Sequence, residues 1–333
     1  MKVLVVGLNW MGDVIMSFPA IHQCSAGKQT AVHILTRPHL ADLYKLHGGI
    51  ERIWEVDTKN KLWYNIEIFG KVRRERFDRI LVFPRSFRSA FTAFLCGGKE
   101  RIGFVGEFRN FLLNRSIPIP DNISGIHESG LYKKLTAGAG FADTTLPFCP
   151  VGFPSEKVEG IRKRFGLPRN DPFAVFAPGA AFGEAKRWNT SGFAELAKAL
   201  VKKTGFFAVT TGSVAESRLT AEVAGAATDR IYDLGGKTSI EDLAVLLSNA
   251  RLVVANDSGT MHLAALFNTP LVVPVGPTDM TRTGPMSENH ILVHGNSCIP
   301  PCRKRECARG DHRCMSSITP GMMLEACETV DRR

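Results

Sequence analysis

Short apolar runs alternate with helical stretches along nearly the whole chain, and this alternation constrains the fold more than any other feature. Each run is rich in Val, Ile, Leu, Ala or Phe and ends in small or polar residues. The runs lie at 3–6, 31–35, 52–56, 79–83 and 101–104, and again at 173–177, 206–211, 231–234, 252–255 and 271–275. Strands that alternate with helices predict a doubly wound parallel sheet of the α/β class. Each half of the sequence therefore reads as a Rossmann-like unit.

The length of the chain and one Pro-rich segment predict two domains. A chain of 333 residues exceeds the usual size of a single core. Residues 147–170 are rich in Pro, Gly and charge, with a short helix at 155–165, and read as a linker. We expect a first domain at 1–155 and a second at 156–333, with the last helix packing back on the first. Ligands of open α/β sheets bind at the carboxyl ends of strands, so two facing domains would form a cleft there.

Composition and charge limit the location and the partners of the protein. The sequence is 44% hydrophobic and 22% charged, its apolar runs are too short to span a bilayer, and residues 1–7 are too short for a signal peptide. We therefore expect a cytoplasmic protein. The first 150 residues hold 20 Lys and Arg against 13 Asp and Glu, and this surplus suggests an acidic partner such as a phosphorylated lipid or an anionic membrane face. A solvated basic surface is the alternative. Nucleic acid is disfavoured because no zinc-finger spacing, RNP-like strand or long basic helix is present.

The stretch from residue 252 to residue 267 predicts a buried strand, a tight turn and the N-terminus of a helix. Asp257 and Ser258 are good N-cap residues, and Gly259 allows a ligand to approach the backbone. The first turn of such a helix offers free N–H groups and the positive end of the helix dipole, which suit a diphosphate. An ordinary strand–helix connection is the alternative.

Two further loops carry candidate reactive groups, although the sequence contains no dinucleotide GxGxxG, P-loop, HExxH or GxSxG motif. Asp13 follows the first predicted strand, beside Trp10 and Met11, where an apolar setting would raise its proton affinity and suit a general base. A helix cap is the alternative for Asp13. Lys186 stands in a loop of small residues and would suit a phosphate, with a surface charge as the alternative. Trp188 is expected to pack rather than bind.

Four cysteines cluster near the end of the chain, at Cys298, Cys302, Cys307 and Cys314, with His312 among them. Disulfides are not expected in a cytosolic chain. Thiolates and imidazole could hold zinc or an iron–sulfur cluster, but the spacing matches neither zinc ribbons nor ferredoxins, so we expect no metal. The alternative is a mobile basic loop with reduced thiols.

Several of these motifs together resemble the ADP-heptose:lipopolysaccharide heptosyltransferases of glycosyltransferase family 9. The resemblance rests on the loops Gly7–Val14, Pro178–Trp188 and Asn256–His262. The tail Cys302–Met315 and the loop Gly276–Pro285 are similar to the heptosyltransferase II branch. The motifs occur in order over nearly the whole chain.

This resemblance implies a GT-B fold, in which two Rossmann-like domains face an inter-domain cleft, and an inverting transfer of L-glycero-D-manno-heptose from ADP-heptose to the inner-core heptose of Kdo-lipid A. It implies that Asp13 is the general base and that Lys186 neutralises the departing diphosphate. The implied donor-binding residues are Asp257, Ser258, Gly259, His262, Glu216, Ala180 and Ala181. No metal cofactor is implied, and stimulation by Mg²⁺ stays open. Ala181 stands where an acid is common and Glu184 where Pro is common, which leaves nucleotide and sugar specificity open.

The basic first half would then meet the acceptor, heptosyl-Kdo-lipid A, at the anionic inner face of the cytoplasmic membrane. Arg85, Arg88 and Arg101, with His127, are the candidates for its phosphates or Kdo carboxylates. A heptosyltransferase I-like enzyme, a sugar-nucleotide epimerase and a non-catalytic nucleotide-binding module are the alternatives.

Overall fold

The structure, a computed structural model, describes residues 1–27, 29–57, 65–106, 108–144, 148–225, 230–295 and 302–331. The chain divides into two compact units, residues 1–151 and 152–333. The first unit ends four residues before the boundary that we expected from the sequence.

In its described part, the first unit is a parallel sheet with helices on its connections. Its strands are β1 Lys2–Val6, β2 Ala31–Thr36, β3 Arg52–Glu55, β4 Arg79–Val82, β5 Glu100–Phe104 and β6 Arg115–Ile117; its helices are α1 Met11–Ser25, α2 Pro38–Tyr44, α3 Ile66–Arg74, α4 Phe87–Cys96 and α5 Glu128–Gly138. The strand order is β3-β2-β1-β4-β5-β6. Strand β1 lies in the middle, where Val3, Leu4 and Val5 are fully buried. A run buried on both faces is typical of a central parallel strand.

The second unit repeats this architecture. Its strands are β7 Phe173–Ala177, β8 Phe207–Thr210, β9 Ile231–Asp233, β10 Leu252–Ala255, β11 Leu271–Val275 and β12 His290–His294; its helices are α6 Ser155–Arg164, α7 Thr190–Thr204, α8 Ser217–Gly225, α9 Ile240–Asn249, α10 Gly259–Leu266, α11 Met280–Thr283, α12 Arg313–Ser316 and α13 Pro320–Asp331. The strand order is β12-β11-β10-β7-β8-β9. If β7 to β12 are counted as strands 1 to 6 and the sheet is read from the β9 edge, the order is the same as in the first sheet. Both are the Rossmann order 3-2-1-4-5-6, which confirms the predicted α/β fold of two Rossmann-like units.

The last helix completes the core of the second unit. Helix α13 packs on α7, β11 and β12 and adds Met323, Cys327 and Val330 to the buried cluster around Trp188. The apolar side chains of this helix fill one face of the second sheet. Its packing on the first domain, which the sequence suggests, stays a prediction. Trp188 is buried, and its Nε1 donates to the Ile318 carbonyl at 2.9 Å, which confirms its packing role.

The strand order fixes where a ligand can bind in each unit. Connections from the first and fourth strands of such a sheet leave on opposite faces, which opens a crevice at their carboxyl ends. In the first unit that crevice lies after β1 and β4, and in the second unit it lies after β7 and β10. Within the residues that the structure describes, no helix combines the length and the apolar character needed to cross a bilayer.

A buried histidine makes the stability of the first unit depend on pH. The His47 Nε2–H donates to the Phe18 carbonyl at 3.2 Å, and Nδ1 accepts from the Gly49 amide, so the ring is neutral. The ring stacks on Phe148, with 4.7 Å between the centroids. Burial lowers the pKa of His47 to about 4. The unfolded chain, with a histidine pKa near ~6.5, therefore binds this proton first as the pH falls.

We expect the free energy of unfolding to fall as the pH drops from about 6.5 towards about 4, with a slope of up to ~1.4 kcal/mol per pH unit from His47. Urea unfolding of the wild type and of His47→Gln at pH 7 and pH 5 checks this. Between these conditions the wild type should lose ~2 kcal/mol more than the variant. An equal loss in the two proteins would contradict the role of His47.

Candidate active site

The buried amide of Asn256 joins the two loops that form the crevice of the second unit. Asn256 follows β10 directly and is fully buried. Its Oδ1 accepts from the Trp188 amide at 3.0 Å, and its Nδ2 donates to the Pro178 carbonyl at 2.7 Å. Both ends of the loop 178–188 are therefore fixed to the end of β10. Sequence reasoning assigned Asn256 no role, because its partners are 68 and 78 residues away along the chain.

Within this frame, the structure brings together two of the predicted site residues. The Lys186 Nζ lies 2.6 Å from Asp257 Oδ2, and the two side chains are only 15% and 6% exposed. An ammonium and a carboxylate at this distance form an ion pair largely removed from water. An anionic ligand that approaches Lys186 would share an ammonium already held in place by Asp257.

The N-terminus of helix α10 lies beside this pair and offers unoccupied donors. The helix begins at Gly259, and its N-cap Ser258 has an extended backbone. Among the described residues, no hydrogen bond joins the Ser258 hydroxyl to the first turn, and its buried Oγ has no other partner there. His262 is buried in the same turn, and its amide donates to the Ser258 carbonyl. N–H groups left uncapped at the positive end of a helix dipole suit an anion.

Glu216 reaches the same edge of the second sheet from the end of β8. Its Oε2 accepts from the amide and the hydroxyl of Ser213, at 2.9 and 2.7 Å. The carboxylate lies so close to Gly179 that a Cβ at that position would come within 2.2 Å of Oε1. Gly179 therefore permits the carboxylate of Glu216, an implied donor-binding residue, to reach the loop after β7. Of the two predicted alanines in that loop, Ala180 is buried and Ala181 is exposed.

The cysteine-rich tail packs on these loops. The Ala185 amide donates to the Arg305 carbonyl at 3.2 Å, and the Arg303 amide donates to the Pro277 carbonyl at 2.9 Å. The Phe182 ring lies between two cations, 4.7 Å from Lys186 Nζ and 4.8 Å from the Arg305 guanidinium carbon. These contacts are those of a packed segment, unlike the mobile loop that the sequence left open.

The thiols of the tail line a cavity of about 220 Å³. Cys302, Cys307 and Cys314 share it with Pro277 and His312. Backbone hydrogen bonds, first that from His312, lower the pKa of the Cys307 thiol. Across the described ranges, no group of three or more His, Cys, Asp or Glu is arranged to hold a metal ion. Cys298, the first of the predicted cluster, lies outside those ranges.

In the first unit, a close approach of two segments shapes the loop before Asp13. A Cβ on Gly7 would lie 2.6 Å from the Tyr44 hydroxyl, which accepts the Leu8 amide at 3.2 Å. Helix α1 begins at Met11 with Trp10 as its N-cap, so Asp13 is the third residue of the helix and not its N-cap.

The Asp13 carboxylate lies half-buried at the carboxyl end of β1. Burial raises the pKa of Tyr44 and of Tyr132, and the charge of Asp13 adds to the rise in both. The predicted base therefore acts electrostatically on two buried phenols.

A basic cavity of about 60 Å³ opens at the ends of β1, β2 and β4. Its polar lining residues are Asn9, Thr36, Arg37, Ser86, Arg88, Ser89 and Thr92. Thr36 is buried, and its Oγ1 has no hydrogen-bond partner within the described segments. An unsatisfied buried hydroxyl is uncommon and points to a ligand or water in the cavity. Two guanidinium groups beside it favour an anion. The sequence predicts Arg88 but gives no signal for Thr36 and Arg37, which follow the apolar run 31–35 without a recognisable motif.

A buried arginine supports the loop that carries the predicted acceptor residues. Arg109 is fully buried, and its Nη1 donates to the Pro84 carbonyl at 2.8 Å and to the Ser86 carbonyl at 3.4 Å. Burial, with the charge of Arg85, lowers its pKa. Arg109 therefore positions the segment that presents Arg85 and Arg88, both exposed after β4.

The other two predicted acceptor residues lie elsewhere or are engaged locally. Arg101 pairs with Ile80 near the amino ends of β5 and β4, not at the carboxyl ends. Its guanidinium donates to the Leu112 carbonyl at 2.8 Å and the Gly98 carbonyl at 3.2 Å, so we assign it a structural role. His127 is the N-cap of α5, where its Nδ1 accepts the Ser129 amide at 3.2 Å.

Comparison with known proteins identifies relatives along the whole chain. The sequence model described as "Glycosyltransferase family 9 (heptosyltransferase)" matches residues 66–312. The lipopolysaccharide heptosyltransferase 2 of Escherichia coli K12 is 31% identical over 98% of this chain and 97% of its own. The lipooligosaccharide heptosyltransferase 2 of Haemophilus influenzae Rd is 30% identical over 98% of each chain. The solved structure of E. coli ADP-heptose lps heptosyltransferase II superposes with a TM-score of 0.87 and 26% identity, covering 100% of this chain and 99% of the other.

The Lys186–Asp257 pair predicts a strong coupling in stability. Lys186→Met should lower the free energy of unfolding by ~3 kcal/mol, because it leaves the Asp257 carboxylate buried without its cation. The double variant with Asp257→Asn should recover most of that loss. Denaturant unfolding of the two single variants and the double variant measures the coupling.

The exposed pair Arg169–Glu159 provides the matched control, since Arg169→Met should change stability by less than ~1 kcal/mol. Strictly additive effects of the two changes at 186 and 257 would contradict a coupled buried pair.

Proposed function

The chain belongs to glycosyltransferase family 9, and we propose that it transfers L-glycero-D-manno-heptose from ADP-heptose to the inner-core heptose of Kdo-lipid A. The observation that carries the proposal is the Lys186–Asp257 pair beside the N-terminus of α10, where, among the described residues, the side chain of the N-cap Ser258 makes no capping hydrogen bond. The names of the relatives support a heptose transfer to lipopolysaccharide, and the alternatives of an epimerase and a binding module have no comparable support.

The second unit is the proposed donor site. The diphosphate lies at the first turn of α10, where the amides of Ser258 and Gly259 and the dipole of the helix face its oxygens. Lys186 neutralises the charge that grows on the phosphate as the bond to the anomeric carbon breaks. The Glu216 carboxylate accepts hydrogen bonds from the ribose hydroxyls, and Asp257 and His262 hold Lys186 and the helix turn in place. Ala181, an exposed residue of the loop after β7, borders the nucleotide.

The first unit is the proposed acceptor site, and Asp13 is its general base. The Asp13 carboxylate takes the proton of the acceptor hydroxyl as the oxygen attacks the anomeric carbon. A single displacement from the side opposite the departing ADP inverts the configuration at that carbon. Lys186 and the helix dipole supply the positive charge that the leaving group needs, so we propose that no metal cofactor is required; assays with Mg²⁺ and with EDTA decide whether Mg²⁺ stimulates.

The basic cavity of the first unit is the proposed subsite for the anionic groups of the acceptor. Arg88 and Arg37 line it, and Arg85 stands exposed beside it. Guanidinium groups match phosphate and carboxylate oxygens in bidentate geometry. An acceptor of this class is anchored in a bilayer, so we further propose that the protein acts in the cytoplasm, at the anionic inner face of the cytoplasmic membrane.

The decisive experiment is transfer from ADP-heptose to Kdo-lipid A acceptors that carry no heptose, one heptose or two heptoses. The proposal expects addition to the acceptor with one heptose. Preference for the acceptor without heptose would indicate a heptosyltransferase I-like enzyme. An epimerised sugar nucleotide formed without acceptor, or binding of ADP-heptose with no turnover, would overturn the transfer.

We expect Asp13→Asn to lower kcat by ~10²–10⁴-fold while the Kd for ADP stays unchanged, because the amide cannot accept the proton. Initial rates with the preferred acceptor and calorimetric titration with ADP measure the two quantities. Asp42→Asn, at an exposed carboxylate of α2 that pairs with Lys45, is the control and should act as wild type. Full activity of Asp13→Asn would remove the assignment.

We expect Arg37→Glu and Arg88→Glu each to raise the KM for the acceptor about ten-fold or more, since each reversal replaces a charge-assisted contact with repulsion. Binding of ADP should be spared. Arg169→Glu, at an exposed site in the second unit, controls for a change in net charge alone. If acceptor and donor binding weaken together, the cavity does not belong to the acceptor.

A further inference from the structure

The first unit exposes a group of five aromatic rings that the proposed chemistry does not use. We call it the aromatic patch: Phe87, Phe91 and Phe94 of α4, with Phe108 and Phe111 of the loop after β5. Neighbouring ring centroids lie 6.2 Å apart for Phe87–Phe91, 6.3 Å for Phe87–Phe111 and 6.4 Å for Phe91–Phe94. The exposed fractions are 48% for Phe87, 46% for Phe94, 84% for Phe108 and 74% for Phe111.

Of the patch, only Phe91 also packs against the core cluster of the first unit; Phe87, Phe94, Phe108 and Phe111 are exposed. The residues Phe87, Phe91 and Phe94 are spaced at i, i+4 and i+7 and form one stripe along α4. The core-facing side of the same helix is formed by Ala90, Ala93 and Cys96, all fully buried. Helix α4 is therefore apolar on both sides, although one side faces solvent. A contiguous exposed apolar surface marks an interaction site.

The backbone of Phe108 adopts a strained conformation. Its φ of 53° lies in the left-handed region, which is unfavourable for a residue with a Cβ. With 84% of its surface exposed, the ring gains little packing within the protein that would offset this strain. The backbone presents the ring outward at the tip of the loop.

Positive charge surrounds the patch. Arg85 and Arg88 flank the start of the stripe, and the Arg101 guanidinium carbon lies 5.5 Å from the centre of the Phe94 ring. The segment 85–115, which contains the whole patch, holds six Lys or Arg against two Glu; five of these cations are partly or fully exposed, and Arg109 is buried. Exposed aromatic rings bordered by arginine are suited to the boundary between lipid head groups and acyl chains.

We propose that the aromatic patch docks on an anionic phospholipid bilayer, with the Phe rings at the acyl boundary and the arginines on the lipid phosphates. This inference rests on the proposed site of action at the membrane and names the surface that makes the contact. A second copy of the chain is a poorer occupant. A two-fold contact through the patch would bring its arginines against their own symmetry mates, and like charges oppose such an interface.

The test compares the full chain with a Phe108→Ser/Phe111→Ser variant in sedimentation with two kinds of vesicle, phosphatidylcholine alone and phosphatidylcholine with phosphatidylglycerol. The wild type should partition onto the anionic vesicles only, and added salt should weaken the binding. The double variant should bind the anionic vesicles at least about ten-fold more weakly than the wild type does. Val214→Ser, which removes an equally exposed apolar side chain in the second unit, should bind as the wild type does.

Three results would overturn the proposal: wild type that stays in solution, equal binding to both kinds of vesicle, or binding that the serine changes do not reduce. Analytical ultracentrifugation adds a fourth, a wild-type dimer that the serine changes dissociate. Far-ultraviolet circular dichroism shows whether the variant is folded.

Transfer assays separate this inference from the proposed function. The double variant should use a deacylated, water-soluble acceptor at the wild-type rate but lose activity on acceptor embedded in anionic vesicles. A wild type that binds vesicles through the patch yet never transfers heptose would remove the function and leave the docking surface. A wild type that transfers heptose but does not bind vesicles would leave the proposed function and remove the docking surface.

Discussion

The geometry of the proposed donor site depends on one buried side chain, the amide of Asn256. It satisfies the carbonyl of Pro178 and the amide of Trp188, so the first and last residues of the loop after β7 share one partner at the end of β10. A buried polar group must find its hydrogen bonds, and these two can form only with the loop in this position. Lys186 lies two residues before Trp188 and Asp257 one residue after Asn256. The two hydrogen bonds of Asn256 thus position the backbone on both sides of the crevice, and this brings Lys186 and Asp257 together as an ion pair.

The two units share a strand order but differ in how they handle charge at the carboxyl ends of their strands. In the second unit, the carboxylate of Asp257 lies 2.6 Å from the ammonium group of Lys186 and holds it in place for a diphosphate. In the first unit, the buried Arg109 is held by the carbonyls of Pro84 and Ser86, and further arginines stand around the cavity. A cavity bordered by several arginines suits a partner that is itself polyanionic.

The sequence was sufficient for the parts of the fold that depend on local pattern. Buried runs such as 3–6 and 252–255 fall within a residue of the observed strands, because a strand covered on both faces is continuously apolar. The strands β6 and β12 were missed, since they are half-buried edges without such a run. Asp257 and Lys186 were identified by motif, but the roles of Asn256, Arg109 and Thr36 arise only when strand order brings distant segments together.

Helix α4 connects the two proposed roles of the first unit through its two faces. Near its start, Arg88 and Ser89 line the basic cavity, while Phe87 begins the exposed aromatic stripe. A helix turn rises only about 5.4 Å, so a residue that meets an acceptor phosphate and one that meets the bilayer lie within a few ångströms of each other. An acceptor anchored by acyl chains would then not need to leave the membrane to reach the cavity. The proposed acceptor subsite and the proposed lipid-docking surface therefore share the same short element.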